Sequence, residues 1–184
     1  MHKEMDLTII PNTGKDLKTT DGFRPITKIN CLGKILEYFI SMEIEAELSI
    51  FKNNLSDRQF GFRKGISSEE DILLLDNRLR HIRANKILRA CIAIDIKGAL
   101  DYLSHHSIIK AMKVKGINYN LIAIVGDFLS NRSCSFMDQE RELGRGCPQG
   151  SVLGPLLWNL AFDMFLDKLE EAGLWHWKIA NSWK

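Results

Sequence analysis

The sequence predicts a helix-rich α+β fold. Apolar residues recur at helical spacing in five segments, which is typical of amphipathic helices that each bury one face. One short run, ACIAID at residues 90–95, is apolar and rich in β-branched residues, as in a buried strand. A length of 184 residues with 45% apolar and 26% charged residues is enough for one domain with a real core.

The N-terminal half begins with turns and continues with two helices. Residues 1–30 are polar and rich in turn-forming residues, and PNTGKD within them is typical of a turn. Residues 32–48 repeat apolar residues every three or four positions, which predicts a helix. After a loop, Ser67 and Glu70 have the spacing of a capping box, which marks the start of a second helix. The buried stripe of that helix is predicted to be Ile72, Leu75, Leu79 and Ile82.

The C-terminal half is predicted to hold three more helices and a weak hairpin. Ser104 is predicted to cap the third helix, and Gly116 to end it. Residues 118–132 predict a fourth helix, residues 134–143 a weak hairpin, and residues 152–172 a long final helix.

Charge and composition limit the location and the partners. A net charge of +2 and a pI near 8.3 permit a nucleic-acid partner without indicating one. The first twenty residues lack the apolar run of a signal peptide, and no stretch approaches the roughly 20 apolar residues of a membrane helix. Four scattered cysteines without a CxxC pair argue against a zinc site or a disulfide framework. We therefore expect an intracellular protein, nuclear or cytoplasmic, with no membrane partner.

The strand-like run ends in a carboxylate. A buried strand that ends at Asp95 would place this side chain at the rim of a sheet, where ligands tend to bind. The alternative is that Asp95 caps a turn or pairs with a lysine. Asp101, six residues later, is expected to serve the following turn and helix start.

Residues 145–155, RGCPQGSVLGP, combine three glycines and two prolines ahead of an apolar helix. Such a turn can present backbone N–H groups to an anion or a base, and a tight connection between two elements is an equally good interpretation. Arg24 stands just before Pro25 on a stiff, extended segment that suits a phosphate, or it is an ordinary surface arginine.

The segment QFGFRKG interleaves aromatic and basic residues. Phe60 and Phe62 stand beside Arg63 and Lys64, a combination that suits base stacking and backbone contact on a single strand. The same residues would also serve to pack one loop against the core.

Taken in order, these motifs resemble the reverse transcriptases of non-LTR (LINE-, jockey- and R1-type) retrotransposons over about residues 10–173. FRPITKINCLGKILE resembles the family's RPI…GK-x-LE segment, and QFGFRKGISSEEDI its QFGFRKG segment. AIDIKGALDYLSHHSIIKAMKVKGI resembles the metal-carboxylate motif, FLSNR the segment that follows, and GCPQGSVLGPLLWNLAF the PQGS motif. Several ordered motifs are far more specific than any single one.

The resemblance implies an RNA-directed DNA polymerase that extends a DNA primer on an RNA template with dNTPs. It also implies a right-hand fold, of which we expect this chain to hold the fingers and a partial palm, with the thumb absent. The fingers would be residues 1–88 and 118–147, the partial palm residues 89–117 and 148–174, and residues 175–184 a divergent tail. No endonuclease domain is visible in the sequence.

The resemblance assigns roles to individual residues. The Asp95 carboxylate and the backbone carbonyl of Ile96 would be ligands for Mg²⁺. Arg24 matches the arginine that contacts the incoming triphosphate, and Gln149 with Gly150 matches the residues beside the nucleotide. Nucleic-acid contacts are expected from Phe62, Arg63 and Lys64.

Three positions depart from the family. Leu100 stands where an aromatic ring usually blocks a ribose 2′-OH, so we expect weaker rejection of ribonucleotides. Asn12 stands where members often have lysine. No Asp-Asp pair occurs in the sequence, although such a pair completes the family's metal cage and two divalent ions need several oxygen ligands.

We therefore expect a polymerase piece that does not bind Mg²⁺ tightly and does not polymerise alone. One alternative is a residual RNA or primer–template binding module that uses Arg24, Arg63, Lys64 and the basic segment 78–89. Another is a decayed element product without function. The sequence determines neither the parent element nor its template.

Overall fold

The structure, a computed structural model, describes residues 4–12, 14–19, 22–50, 55–57, 59–86, 95–96, 98–137 and 139–172. The elements in these ranges are β1 (Glu4–Pro11), β2 (Phe23–Lys28), α1 (Cys31–Ile50), α2 (Ser68–Ala84), α3 (His105–Val114), α4 (Tyr119–Leu129), β3 (Arg132–Phe136), β4 (Gln139–Leu143) and α5 (Gly154–Glu171). The prediction of a mixed, helix-rich chain is confirmed, with five helices in the described part. Except for Asp95, the strand predicted at residues 90–95 lies outside the described residues.

A four-stranded sheet joins the N-terminal strands β1 and β2 to β3 and β4, in the order β2-β1-β3-β4. β1 pairs antiparallel with β2 and parallel with β3, and β3 pairs antiparallel with β4. The hairpin predicted at residues 134–143 is therefore confirmed as β3 and β4. The interpretation of residues 1–30 as mainly turns is wrong, because β1 and β2 lie there. Their mostly exposed residues lack the strict apolar alternation that reveals a strand.

The turn predicted within residues 1–30 is confirmed between β1 and β2. The Lys15 N–H donates to the Asn12 carbonyl at 3.2 Å, and the Asn12 N–H donates to the Gly22 carbonyl at 2.7 Å. Gly14 has a φ of +85°, which glycine adopts at little cost.

Helix α1 buries only part of its predicted apolar face. Ile40, Ile44 and Leu48 enter the core, together with Glu37 at the start of the same stripe. The N-terminal apolar residues are exposed instead, and Leu32 is the most exposed of them at 78%.

Helix α2 begins where the capping box predicts, but its predicted buried stripe is wrong. The Ser67 hydroxyl accepts a hydrogen bond from the Glu70 N–H at 3.3 Å. Ile72, however, is 65% exposed, and Leu79 is 46% exposed. Periodicity identifies which residues share a face, but it carries no information about what covers that face.

The remaining helices match their predicted positions. Ser104 precedes α3 in extended backbone but makes no side-chain cap, and Gly116 follows the C-cap with a φ of +73°. Asn118 caps α4 by accepting from the Asn120 N–H at 2.8 Å. Helix α5 begins with Pro155 in its first turn.

The core lies among α1, α3, α4 and α5, where apolar side chains from each helix exclude water. Ile108, Val125, Leu157 and Leu160 are fully buried there. A buried ion pair between Lys115 and Asp163 links the end of α3 to α5. None of the described helices is both long and apolar enough to cross a membrane.

Candidate functional site

The connection from β4 to α5, residues 145–153 and here termed the glycine-proline loop, is approached closely by two other segments. Gly146 and Gly150 have φ values of +83° and +111°. A Cβ on Gly146 would lie 2.5 Å from the Asp101 carbonyl oxygen, and one on Gly150 would lie 2.8 Å from the Thr27 carbonyl oxygen. The loop therefore needs glycine at both positions, for its backbone angles and for the close approach.

The first segment is the turn that follows Asp95. The Cys147 N–H donates to the Leu100 carbonyl at 2.9 Å. The Gln149 amide nitrogen lies 3.1 Å from both carboxylate oxygens of Asp101. Two residues of the glycine-proline loop thus hold the turn that carries Leu100.

The second segment is strand β2. The Thr27 N–H donates to the Gln149 carbonyl at 2.8 Å. Arg24 lies three residues earlier on the same strand with an exposed side chain. The strand that carries the predicted phosphate contact is therefore bonded directly to the residue predicted to lie beside the nucleotide.

Helix α1 contacts the glycine-proline loop through a buried carboxylate. The Glu37 Oε2 accepts hydrogen bonds from the Ser151 hydroxyl at 2.6 Å, the Val152 N–H at 2.7 Å and the Leu153 N–H at 3.1 Å. The Ser151 Oγ in turn accepts from the Gly154 N–H at 3.0 Å. The N–H groups of Leu153 and Gly154 at the start of α5 are satisfied in this way.

The loop that contains QFGFR is anchored to α5. The Asn159 side chain accepts from the Gln59 amide at 2.8 Å and donates to the Gly61 carbonyl at 3.0 Å. The Arg63 guanidinium donates to the carbonyls of Ser56 and Gln59 at 2.7 and 3.1 Å. Arg63 is thus engaged within its own loop, as the packing interpretation of this segment expects.

The glycine-proline loop, the turn after Asp95, the loop of Phe62 and helix α5 line an open cleft of about 230 Å³. Its lining residues are Phe62, Gly98, Ala99, Leu100, Asp101, Gln149 and Trp158. Three residues predicted from separate motifs, Phe62, Leu100 and Gln149, therefore line one cavity. Its walls are mainly apolar, with the Gln149–Asp101 pair as a polar end.

Two residues with a role in this region were missed from the sequence. Trp158 lines the cleft and stacks on Phe162, with ring centroids 5.5 Å apart and planes at 17°. Its place in an apolar helix makes it indistinguishable from a core residue in the sequence. Glu37 could have been found, because it is a charged residue at the first position of the stripe continued by Ile40 and Ile44.

The remaining predicted residues lie outside the cleft lining. Asp95 and Ile96 are exposed, and so are Lys64 and Gly150. Within the described part of the chain, no group of three or more His, Cys, Asp or Glu side chains could hold a metal ion.

Burial changes the pKa of Cys147, in the glycine-proline loop, and of Arg132, on β3. Burial raises the pKa of the Cys147 thiol to about 12, with the positive charge of Arg132 opposing this shift. Burial lowers the pKa of Arg132, and the negative charge of Glu37 opposes that change. Arg132 and Glu37 both line a second cavity of about 700 Å³, between the sheet and the start of α1.

Comparison with known proteins agrees with the motifs. The model of the family described as reverse transcriptase (RNA-dependent DNA polymerase) matches residues 10–178. This covers most of the chain, including every residue of the cleft. The chain therefore belongs to the reverse transcriptase family, and the predicted resemblance is confirmed.

Several curated relatives come from non-LTR retrotransposons. The chain is 29% identical over 161 residues to "Probable RNA-directed DNA polymerase from transposon BS" of Drosophila melanogaster, 84% of this chain and 17% of the relative. It is 28% identical over 172 residues to the Pol polyprotein of type-1 retrotransposable element R2 of Popillia japonica, which covers 90% of this chain and 23% of the relative. It is 29% identical over 168 residues to the RNA-directed DNA polymerase of mobile element jockey of Drosophila melanogaster, which covers 88% of this chain and 18% of the relative. The chain thus spans about a fifth of the length of these relatives.

Proposed function

We propose that this chain carries the nucleotide-binding part of a non-LTR retrotransposon RNA-directed DNA polymerase. The supporting observation is the cleft of about 230 Å³, where side chains from three motifs meet on the glycine-proline loop. A flat base would lie between the apolar walls of this cleft, and its polar edge would face Gln149 and Asp101. In this proposal the dNTP is the small ligand, and the RNA template and DNA primer are the macromolecular partners.

The roles follow from the positions. Arg24 would contact the triphosphate from β2, which is bonded to the Gln149 carbonyl through Thr27. Gly150 would let the backbone approach the nucleotide. Leu100, shorter than an aromatic ring, would leave room for a ribose 2′-OH.

In domain terms, we assign residues 1–88 and 118–147 to the fingers and residues 89–117 and 148–174 to a partial palm. In this assignment the cleft lies between the two, with Phe62 on the fingers side and Leu100, Gln149 and Trp158 on the palm side. The continuous core across α1, α3, α4 and α5 supports treating both parts as one unit.

Mg²⁺ fits the described residues poorly. Asp95 and the Ile96 carbonyl offer one carboxylate and one further oxygen, and the Asp101 carboxylate is already bonded to Gln149. Because divalent ions in polymerase sites need several oxygen ligands, we assign no step of this chain to a bound metal. The 184 residues alone are proposed to bind nucleotide and primer–template without extending the primer.

The test is equilibrium binding of dATP to the full chain. We expect Gln149→Ala to weaken dATP binding about tenfold, because its amide is the polar end of the cleft. Gln139→Ala, at an exposed site on β4, is the matched control and should bind like the unaltered chain. Equal affinities of all three proteins would contradict a nucleotide site in the cleft.

A second candidate is a module that binds RNA strands. Exposed Phe62 and Lys64 and the basic residues at the end of α2 support it, and Phe62 is 70% exposed. Such binding would fall steeply between about 50 and about 200 mM salt and would survive Asp95→Asn. RNA binding that is unchanged in Lys64→Ala and over this salt range would exclude this use of the surface.

A further inference from the structure

Glu37 is a buried charge whose bonds are all to one distant loop. Its side chain is 0% exposed. Its Oε2 atom takes three hydrogen bonds from residues 151–153, more than 110 positions away in sequence. Its other oxygen has no hydrogen-bond partner among the described residues. Burying a carboxylate is costly, so its retention here calls for a role beyond packing.

The three bonds place the carboxylate at the N-terminus of α5. Leu153, the N-cap residue of α5, cannot cap it with its apolar side chain. Glu37 accepts hydrogen bonds from two N–H groups just ahead of the helix, and its negative charge complements the helix dipole. The Ser151 hydroxyl, itself bonded to Glu37, accepts from the Gly154 N–H in the first turn. The start of α5 is thus held by a local hydroxyl together with a carboxylate from another helix.

The same bonds hold the glycine-proline loop. Ser151 and Val152 follow Gln149 by two and three residues, so their anchoring restricts where the Gln149 backbone can lie. Gln149 then bonds Thr27 of β2 and the Asp101 carboxylate. Hydrogen bonds and a short stretch of loop backbone therefore connect α1 to the polar end of the cleft.

We infer that Glu37 is a positioning residue that holds Gln149 in its place in the nucleotide cleft. The expected effect of Glu37 on nucleotide binding rests on the proposed nucleotide site. Its role in holding the glycine-proline loop does not. Glu37 lines the neighbouring 700 Å³ cavity and not the cleft, so it acts through the loop without touching the nucleotide.

The experiment combines hydrogen exchange and dATP binding on the full chain. In Glu37→Ala, exchange at the Val152 and Leu153 amides should rise about ten- to a hundredfold, as for loss of bonds to a charged group. dATP affinity per folded molecule should fall about tenfold, the loss expected for Gln149→Ala itself. Glu37→Gln should recover most of both losses, because its carboxamide oxygen accepts the same bonds.

Two controls separate positioning from general stability. Glu43→Ala removes an exposed carboxylate from the same helix and should change neither readout. Ile108→Ala opens the core under α3 and should lower stability throughout, yet leave dATP affinity per folded molecule unchanged.

Either of two results overturns the inference. One is unchanged exchange at Val152 and Leu153 in Glu37→Ala. The other is an equal loss of dATP affinity in Ile108→Ala, which would make the role of Glu37 merely structural. If the unaltered chain does not bind dATP, the proposed function fails together with the functional half of this inference. The exchange comparison then still decides whether Glu37 holds the loop.

Discussion

At the scale of single residues, Gly150 shows how a backbone angle serves the site. Its φ of +111° is a conformation that L-residues rarely adopt, and an added Cβ would lie 2.8 Å from the Thr27 carbonyl oxygen. We expect Gly150→Ala to lower the free energy of unfolding by about 1–3 kcal/mol, through strain and displacement of β2. Denaturant unfolding followed by circular dichroism measures this change.

Gly144 provides the matched control for Gly150. It lies just before the glycine-proline loop, and nothing stands within 4 Å of a Cβ built there. Gly144→Ala should therefore leave stability nearly unchanged. An equal effect of both substitutions would mean that the contact with Thr27 does not constrain the loop.

Cys147 makes stability depend on pH in the alkaline range. Its pKa is raised from an ordinary value of 9.0 to about 12, first of all by burial. The unfolded chain therefore loses the thiol proton before the folded chain does. The contribution of the protonated thiol to the free energy of unfolding is fully present below pH 9. It is lost as the pH rises from 9 to 12, by about 1.4 kcal/mol per pH unit.

The measurement is the free energy of unfolding at pH about 8 and about 10, where only the unfolded thiol ionises appreciably. The unaltered chain should lose more stability over this interval than Cys147→Ala does. Cys31→Ala, at an exposed cysteine, should show the full loss. Parallel pH profiles for all three proteins would contradict a raised thiol pKa.

At the scale of elements, α5 organises the site more than any other described helix. Its N-terminus ends the glycine-proline loop, Trp158 lines the cleft, and Asn159 anchors the loop of Phe62. Successive residues of one helix thus determine the spacing between the cleft walls.

Asn159→Ala tests this anchoring. The substitution leaves the Gln59 amide and the Gly61 carbonyl without their partner, which should lower the free energy of unfolding by about 1–3 kcal/mol. Limited proteolysis should also cut the loop around Phe62 faster. The control is Asn120→Ala, whose exposed side chain lies in the first turn of α4. Unchanged proteolysis in Asn159→Ala would show that the loop is held by other contacts.

At the scale of the whole molecule, the described chain exposes an apolar surface on α1. Leu32, Phe39 and the adjacent pair Ile35 and Leu36 between them recur at intervals of three or four residues, and all four are exposed. Contiguous apolar surface of this kind promotes non-specific association.

We expect the full chain to bind the dye ANS and to scatter more light as its concentration rises. Phe39→Lys should reduce both signals, because it places a charge in the middle of the apolar surface. Ile50→Lys, at the other end of α1, is the control for added charge alone. Equal reductions in the two variants would show that net charge governs association, and not this surface.

The sequence alone determined the family and the helices, and it singled out three of the seven residues that line the cleft. The order of the motifs is visible in the linear sequence. Helical periodicity and caps such as Ser67 depend only on residues a few positions apart. Strands β1 and β2 were missed, because their partners lie elsewhere in the chain and their exposed faces lack alternation.

Only the tertiary structure decided which side chains meet. It brought Phe62, Leu100 and Gln149 to one cleft, added Trp158, and joined Glu37 to a loop more than 110 residues away. It also left Ile72 and Leu79 of the predicted stripe of α2 exposed. The physical reason is the same in each case: contacts and burial depend on long-range packing, while the sequence pattern records only which residues share a face.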